Sequence, residues 1–143
     1  MTQNPMNAAQ NTVEPVSILL AGTSTRLMPW INLMMADGRF RVISMATDAG
    51  DLRSKLSANP EALLLEGSLL GNYTALADLL TGLQCAAYVV TPAEGGLELL
   101  QSVREIPSVK GAYIADINLA EVAGRIYGDC LALRQSKSSS LQG

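Results

Sequence analysis

Polar residues stand directly behind several apolar runs of this chain, and these are the places where it could do chemistry. Gly22 and Thr23 follow Val16–Ala21, Glu66 follows residues 62–65, Thr91 follows residues 85–90, and Asp116 comes just after Val109–Ile114. Carboxylates beside hydroxyls form a hard-oxygen set of the kind that holds a divalent cation or meets a phosphoryl group. The set is thin, because Gly22 supplies no ligand, Thr23 offers a neutral hydroxyl, and Glu66 alone would hold magnesium weakly. No nucleophile can lean on a histidine, since the chain has none. The loop Gly22-Thr23-Ser24-Thr25 has neither the spaced glycines of a dinucleotide fingerprint nor the Lys-Ser/Thr ending of a phosphate loop, so Ser24 and Thr25 are read as helix N-cap residues. Cys85 and Cys130 are too few and too far apart for a zinc site or a disulfide framework, and are read as small buried apolar residues. No metal or other cofactor is expected.

The composition sets the frame for these residues. With 143 residues, 48% of them apolar and 16% charged, the chain suits one packed domain rather than two, and is too apolar for disorder throughout. A net charge of -3, with ten Lys and Arg scattered along the sequence, gives no footprint for a phosphate backbone, so this domain is not expected to bind nucleic acid. The first fifteen residues lack the apolar core and basic cluster of a signal or transit peptide, and no apolar run is long enough to span a bilayer. A soluble cytoplasmic protein without membrane contact is expected.

The elements that must position these residues alternate along the chain. Val16–Ala21 (VSILLA) is a continuous apolar run and predicts a strand buried on both faces. Leu27, Trp30, Ile31, Met34 and Met35 then recur at helical spacing, with Trp30, Met34 and Met35 assigned to the core. Pro29 is tolerable only in the first turn of that helix, which ends near Gly38 in a left-handed cap. Phe40–Ala46 predicts a less buried strand, residues 48–58 a short helix, and residues 62–65 a central strand that delivers Glu66 at its C-terminal end. Residues 72–83 and 95–105 predict helices on either side of a strand over 85–90, Val109–Ile114 a fifth strand, and residues 119–133 a final helix. Strict alternation predicts an α/β flavodoxin-like (βα)5 fold, a doubly wound parallel sheet of strand order 2-1-3-4-5. Residues 1–15 are expected to be a flexible N-terminal segment, 16–134 the domain, and the serine-rich 135–143 a flexible tail or linker with a further domain after it.

In such a sheet a ligand sits beyond the carboxyl ends of the strands, where the strand order reverses between the first and third. The segment 59–71 (NPEALLLEGSLLG) resembles the response-regulator receiver segment in which Pro-Asp precedes an apolar strand, the phosphoacceptor aspartate follows, and a glycine closes the loop. The resemblance spans about 16–134 and implies that Glu66 stands at the phosphoacceptor position. It also implies that Gly22 and Thr23 replace the two acidic residues that hold magnesium, and that Thr91 matches the conserved hydroxyl. Tyr113 would take the aromatic switch position, and Asp116 would replace the lysine. Tyr113 is otherwise read as a packing residue with its hydroxyl in water, and Asp116 as the start of the last helix's cap, beside Asn118.

A degenerate receiver of this kind implies a non-catalytic, phosphorylation-independent signalling module that works through protein contacts. It would act as a homodimer or on a partner or attached C-terminal output domain, through the face made by 95–105, 109–114 and 119–133. The best family match is the N-terminal domain of pilus-assembly localisation proteins with a MinD-like ATPase, with a transcription factor as the other output. Within that reading, Glu66 is either a carboxylate solvated at a strand end or a built-in mimic of a phosphorylated aspartate held by Thr91. A small flavodoxin-like enzyme or ligand-binding protein using the same crevice is the alternative from a different class.

Overall fold

The computed structural model describes residues 14–70, 73–91, 101–114 and 118–142. The uncharged runs become strands that have no exposed face. Every residue of β1 (Val16–Ala21), β3 (Ala62–Glu66) and β4 (Ala86–Thr91) is buried, as a parallel sheet covered on both sides requires. β2 (Phe40–Ala46) and β5 (Val109–Ile114) are half-exposed and form the two edges. All pairings are parallel and the order is β2-β1-β3-β4-β5, as the alternation of elements predicted. The strand period of two divides the apolar side chains between two layers. Ile18, Leu20, Leu64 and Tyr88 face the first and last helices, while Leu19, Leu63, Leu65 and Val89 face the opposite side.

α1 (Ser24–Ala36) closes the first layer with Leu27, Trp30 and Met34, but Met35 is 70% exposed and does not join the core expected of it. Pro29 sits in the helix interior rather than in its first turn. Proline there loses the bond to the carbonyl of Thr25 at a cost of roughly 3 kcal/mol. Both residues face solvent, where water can take that carbonyl. Burial of three large apolar side chains at about 1.5–3 kcal/mol each outweighs the cost. Ser24 and Thr25 lie inside the helix instead of capping it, because the Leu27 N–H bonds the carbonyl of Thr23 (2.9 Å), one residue earlier. Gly38 is not in the left-handed region. The turn is made by Asp37, whose carboxylate accepts from the Arg39 backbone N–H (3.0 Å) and pairs with its guanidinium (2.6 Å). The guanidinium holds the Asp37 carboxyl below its usual range.

α2 (Ala49–Lys55) is capped by Asp48, which accepts from the Asp51 N–H (2.8 Å). It is shorter than the predicted 48–58, giving way to a 3-10 turn (Leu56–Ala58) closed by Asn59 at φ 57°. Asparagine tolerates that left-handed conformation, and Pro60 follows at once. Leu52 of α2 and Leu76 and Leu80 of α3 (Tyr73–Thr81) cover the second layer together with Val103, which belongs to a helical stretch at 101–103. Of the helix predicted over 95–105, residues 95–100 fall outside the described residues, and 104–105 form a turn instead. α4 (Leu119–Gln142) packs Val122, Ile126 and Cys130 on the first layer and is capped by Asn118, which accepts from the Ala120 N–H (2.9 Å). It runs on through the serine-rich stretch, where Gln135 and Ser136 are exposed. A helix already nucleated by packing propagates at small cost per residue.

The last packed turn of α4 is fastened at the N-terminal end of the sheet. Arg134 makes a two-point bond to Glu61 through Nε and Nη2 (2.6 Å for each), while Nη1 donates to the carbonyl of Glu14 (2.9 Å) and Nη2 also to that of Pro15 (3.1 Å). Glu61 in turn accepts from the Ser17 N–H (3.2 Å) at the start of β1. One guanidinium thus ties the chain entry, β1, β3 and α4 together. Arg134→Met is expected to cost about 1–2 kcal/mol, the range of charge-assisted bonds that stay partly hydrated. Lys55→Met, which removes the exposed pair with Asp51, should cost under about 1 kcal/mol. Urea unfolding of the two variants beside the parent measures both.

Candidate functional site

The switch point lies where β1 and β3, neighbours in the sheet, send their chains to opposite sides. Ala21 pairs with Leu65 there, so Gly22 and Glu66 leave the sheet side by side. Glu66 is only 8% exposed. Its side chain folds back over Gly22 and Oε1 accepts from the backbone N–H of Thr23 (2.8 Å), at the N-cap position of α1. A β3 carboxylate therefore serves a helix N-terminus that follows β1, where backbone donors and the helix dipole favour negative charge. The approach is so close that a Cβ on residue 22 would lie 3.0 Å from Glu66 Oε1 and 3.1 Å from Glu66 Cβ. Glycine at 22 and the folded-back glutamate are two halves of one fit.

Neither expectation for Glu66 matches this arrangement. It is not a solvated strand-end carboxylate, and it is not held by Thr91: that side chain is fully buried and its Oγ1 has no partner among the described residues. Tyr113 differs as well. Its hydroxyl is buried rather than in water and has no partner among the described residues, and burial raises its phenol pKa. The ring lies down along β5 over Gly111, where a Cβ would come within 2.5 Å of the hydroxyl and 2.9 Å of two ring carbons. Asp116 falls outside the described residues. Of the five switch-point positions named from sequence, the structure brings Gly22, Thr23 and Glu66 into contact, and leaves Thr91 as a separate buried hydroxyl on β4.

A second polar contact escaped the sequence reading. Tyr88, fully buried in β4, donates to Asp129 of α4 (2.7 Å), with Arg125 3.9 Å from the same carboxylate. Burial first, and then Asp129, push the Tyr88 phenol pKa up. The available signal was the position of Asp129 between Ile126 and Cys130, on the inward stripe of the last helix. Burial also raises the thiols of Cys85 and Cys130 to about 11 and about 12, so both stay protonated at neutral pH, as structural cysteines do. An open groove of about 930 Å³ lies at the opposite end of the sheet, among Pro60, Leu79, Cys85, Leu133 and Arg134. Glu61 and Arg134, which also line it, are engaged with each other.

No protein-family profile matches the chain. No curated protein sequence matches it either. Solved structures do. The signal receiver domain assigned to a response regulator, NarL, from Mycobacterium tuberculosis superposes with a TM-score of 0.70 at 14% identity, covering 82% of this chain and 98% of that one. The chain has the receiver fold. A signal receiver domain described as that of a Luxo repressor protein from Vibrio parahaemolyticus gives a TM-score of 0.63 at 15% identity, over 90% of this chain and 97% of that one. A chain of the complex between the P1 domain of CheA3 and CheY6 from R. sphaeroides gives 0.62 at 14%, over 86% and 99%. Among the described residues no helix is long and apolar enough to cross a membrane.

The switch point of this receiver fold does not suit a divalent cation. Gly22 has no donor, the Glu66 oxygen is turned onto a backbone N–H, and among the described residues no three acidic, Cys or His side chains are grouped as ligands.

Two substitutions probe the close fits. Gly22→Ala is expected to destabilise the parent by about 1–2 kcal/mol through overpacking against Glu66. The same change should be neutral or slightly stabilising in a Glu66→Ala background, where only the gain from a stiffer unfolded chain remains. A double-mutant cycle by urea unfolding reads the difference. Gly111→Ala should push the Tyr113 phenol out of its seat and return its pKa towards the ordinary value of about 10. Alkaline absorbance titration, with Tyr113→Phe to assign the transition, tests this.

Proposed function

We propose that this domain is a non-catalytic signalling and protein-interaction module that works without phosphorylation. The carrying observation is the Glu66 carboxyl, buried, folded over Gly22 and bonded to the Thr23 N–H. Oε1 in that position is already engaged with a backbone donor, a bond that would weaken on meeting an incoming phosphoryl group. The extra methylene of glutamate displaces it further from the geometry of an aspartate nucleophile. With no acidic side chain at 22 or 23, the charge on a transferring phosphoryl has no cation to neutralise it. One donor of the helix N-terminus that could have met a phosphoryl group, the Thr23 N–H, is taken from within.

A domain of this kind acts through its surface, in the cytoplasm, on a protein partner or an attached output domain. The complex of CheA3 P1 with CheY6 supports the reading that a receiver fold presents such a surface. The output we favour as the one regulated or localised is a pilus-assembly ATPase of the MinD-like kind, from the chain's resemblance to families with degenerate N-terminal receivers, with a transcription factor as the other candidate.

Incubation with acetyl phosphate and magnesium, followed by intact-mass measurement, is expected to show no phosphoryl adduct on the parent protein. An adduct that maps to Glu66 and is lost in Glu66→Gln would overturn the proposal.

A further inference from the structure

Three of the four exposed large apolar side chains among the described residues are methionines, and they lie together. The buried stripe of α1 is Leu27, Trp30 and Met34. At about 100° per residue, Met28 and Met35 fall on one flank of it, with half-buried Ile31 between them. The right-handed β1-α1-β2 crossover turns that flank towards β2, the edge strand. Met45 joins it there, because it pairs with Leu20, whose side chain faces the α1 layer. Met28, Met35 and Met45 are 55%, 70% and 41% exposed. Among the α1 side chains that are described, the other exposed ones, Thr25, Pro29, Asn32 and Ala36, carry no charge. By contrast the face over β5 and α4 exposes Arg104, Glu105, Lys110, Glu121 and Arg125.

We infer that the α1 flank with Met45 is the contact between two copies of this chain, α1 packing antiparallel on α1 about a two-fold axis at Asn32. The charge nearest this face, the Lys55 ammonium on the Met45 carbonyl, is paired with Asp51, so the face meets its own image with little like-charge penalty and offers nothing to select a charged partner. Asn32 lies midway between Met28 and Met35 on the exposed side, so a two-fold axis there sets Met28 of one copy against Met35 of the other. It also brings the two Asn32 amides together, each with a donor and an acceptor for its mate. The outer edge of β2 does not extend the sheet in this contact: Ile43 is an extra residue opposite the Ile18–Leu19 step, and Arg41 is exposed, two devices that keep edge strands from pairing. The dimer is built on side chains, and it holds whether or not the switch point takes up phosphoryl groups.

Sedimentation velocity of the full chain over a concentration series decides it. A monomer–dimer equilibrium is expected, with Met28→Lys and Met35→Lys each raising the midpoint concentration at least tenfold and Leu133→Lys leaving it unchanged. Asn32→Asp, which sets two like charges at the axis, should weaken the dimer at low salt and recover in part at high salt. Far-UV circular dichroism confirms that these exposed substitutions leave the fold intact. A parent that stays monomeric at every concentration, or a dimer indifferent to Met28, Met35 and Asn32, overturns the inference.

Discussion

β1, β3 and β4 lie side by side with both faces buried, and this constraint governs the rest of the molecule. A strand with no exposed side must send its apolar side chains into two layers, so helices have to cover both faces and each connection must cross over. Its polar residues can stand only at its ends. Ser17, Glu66 and Thr91 are the buried polar residues among those described, and all three lie at or next to a strand end. The burial that makes the sheet stable thus decides where chemistry could take place, and leaves only the identity of the end residues to decide which chemistry.

At the C-terminal end that identity closes the site. An aspartate at 66 would stop one methylene short, whereas glutamate reaches round to the Thr23 N–H, and it can do so only because residue 22 has no side chain. Gly22 and Glu66 make sense together: glycine without glutamate would leave the helix donor open to water, and glutamate against a larger residue would clash. At the N-terminal end the opposite solution holds, with Glu61 and Arg134 in a full ion pair that clamps α4 to β1 and β3. Both ends of the sheet therefore carry a carboxylate engaged by the protein's own donors.

The strands were legible because uncharged apolar runs bounded by Pro, Gly or a charge have few other fates, and their strict alternation with helical stripes left one topology. The errors arose where a side chain's direction, rather than its type, mattered. Met35 follows a core residue, yet lies one step round the helix and points outward. Pro29 breaks a local rule that the burial of Leu27, Trp30 and Met34 overrides. Gly38 looked like a left-handed cap, but the Asp37–Arg39 pair makes that turn. Glu66 was placed correctly at a strand end, and what could not be read was that its carboxyl turns inward, since the donor that attracts it lies 43 residues away at Thr23. The Tyr88–Asp129 bond was hidden for the same reason, being a contact across 41 residues with no local pattern on the strand.

A switch point satisfied from within changes how the domain can be regulated. A phosphoryl group would supply several strong acceptor oxygens and extra charge, enough to reorganise the loops around it. On the proposed reading, the internal carboxylate stands in place of that group, and the side chain left for a partner to act on is Tyr113, seated over Gly111 with its hydroxyl unpartnered among the described residues. A partner can shift that side chain only by the difference in its affinity for the seated and unseated forms. The seated ring gives up a hydrogen bond for its hydroxyl in exchange for apolar burial, two terms of similar size and opposite sign. Such a balance needs little differential affinity to tip, so on the proposed reading binding of a partner at the surface is enough to supply it.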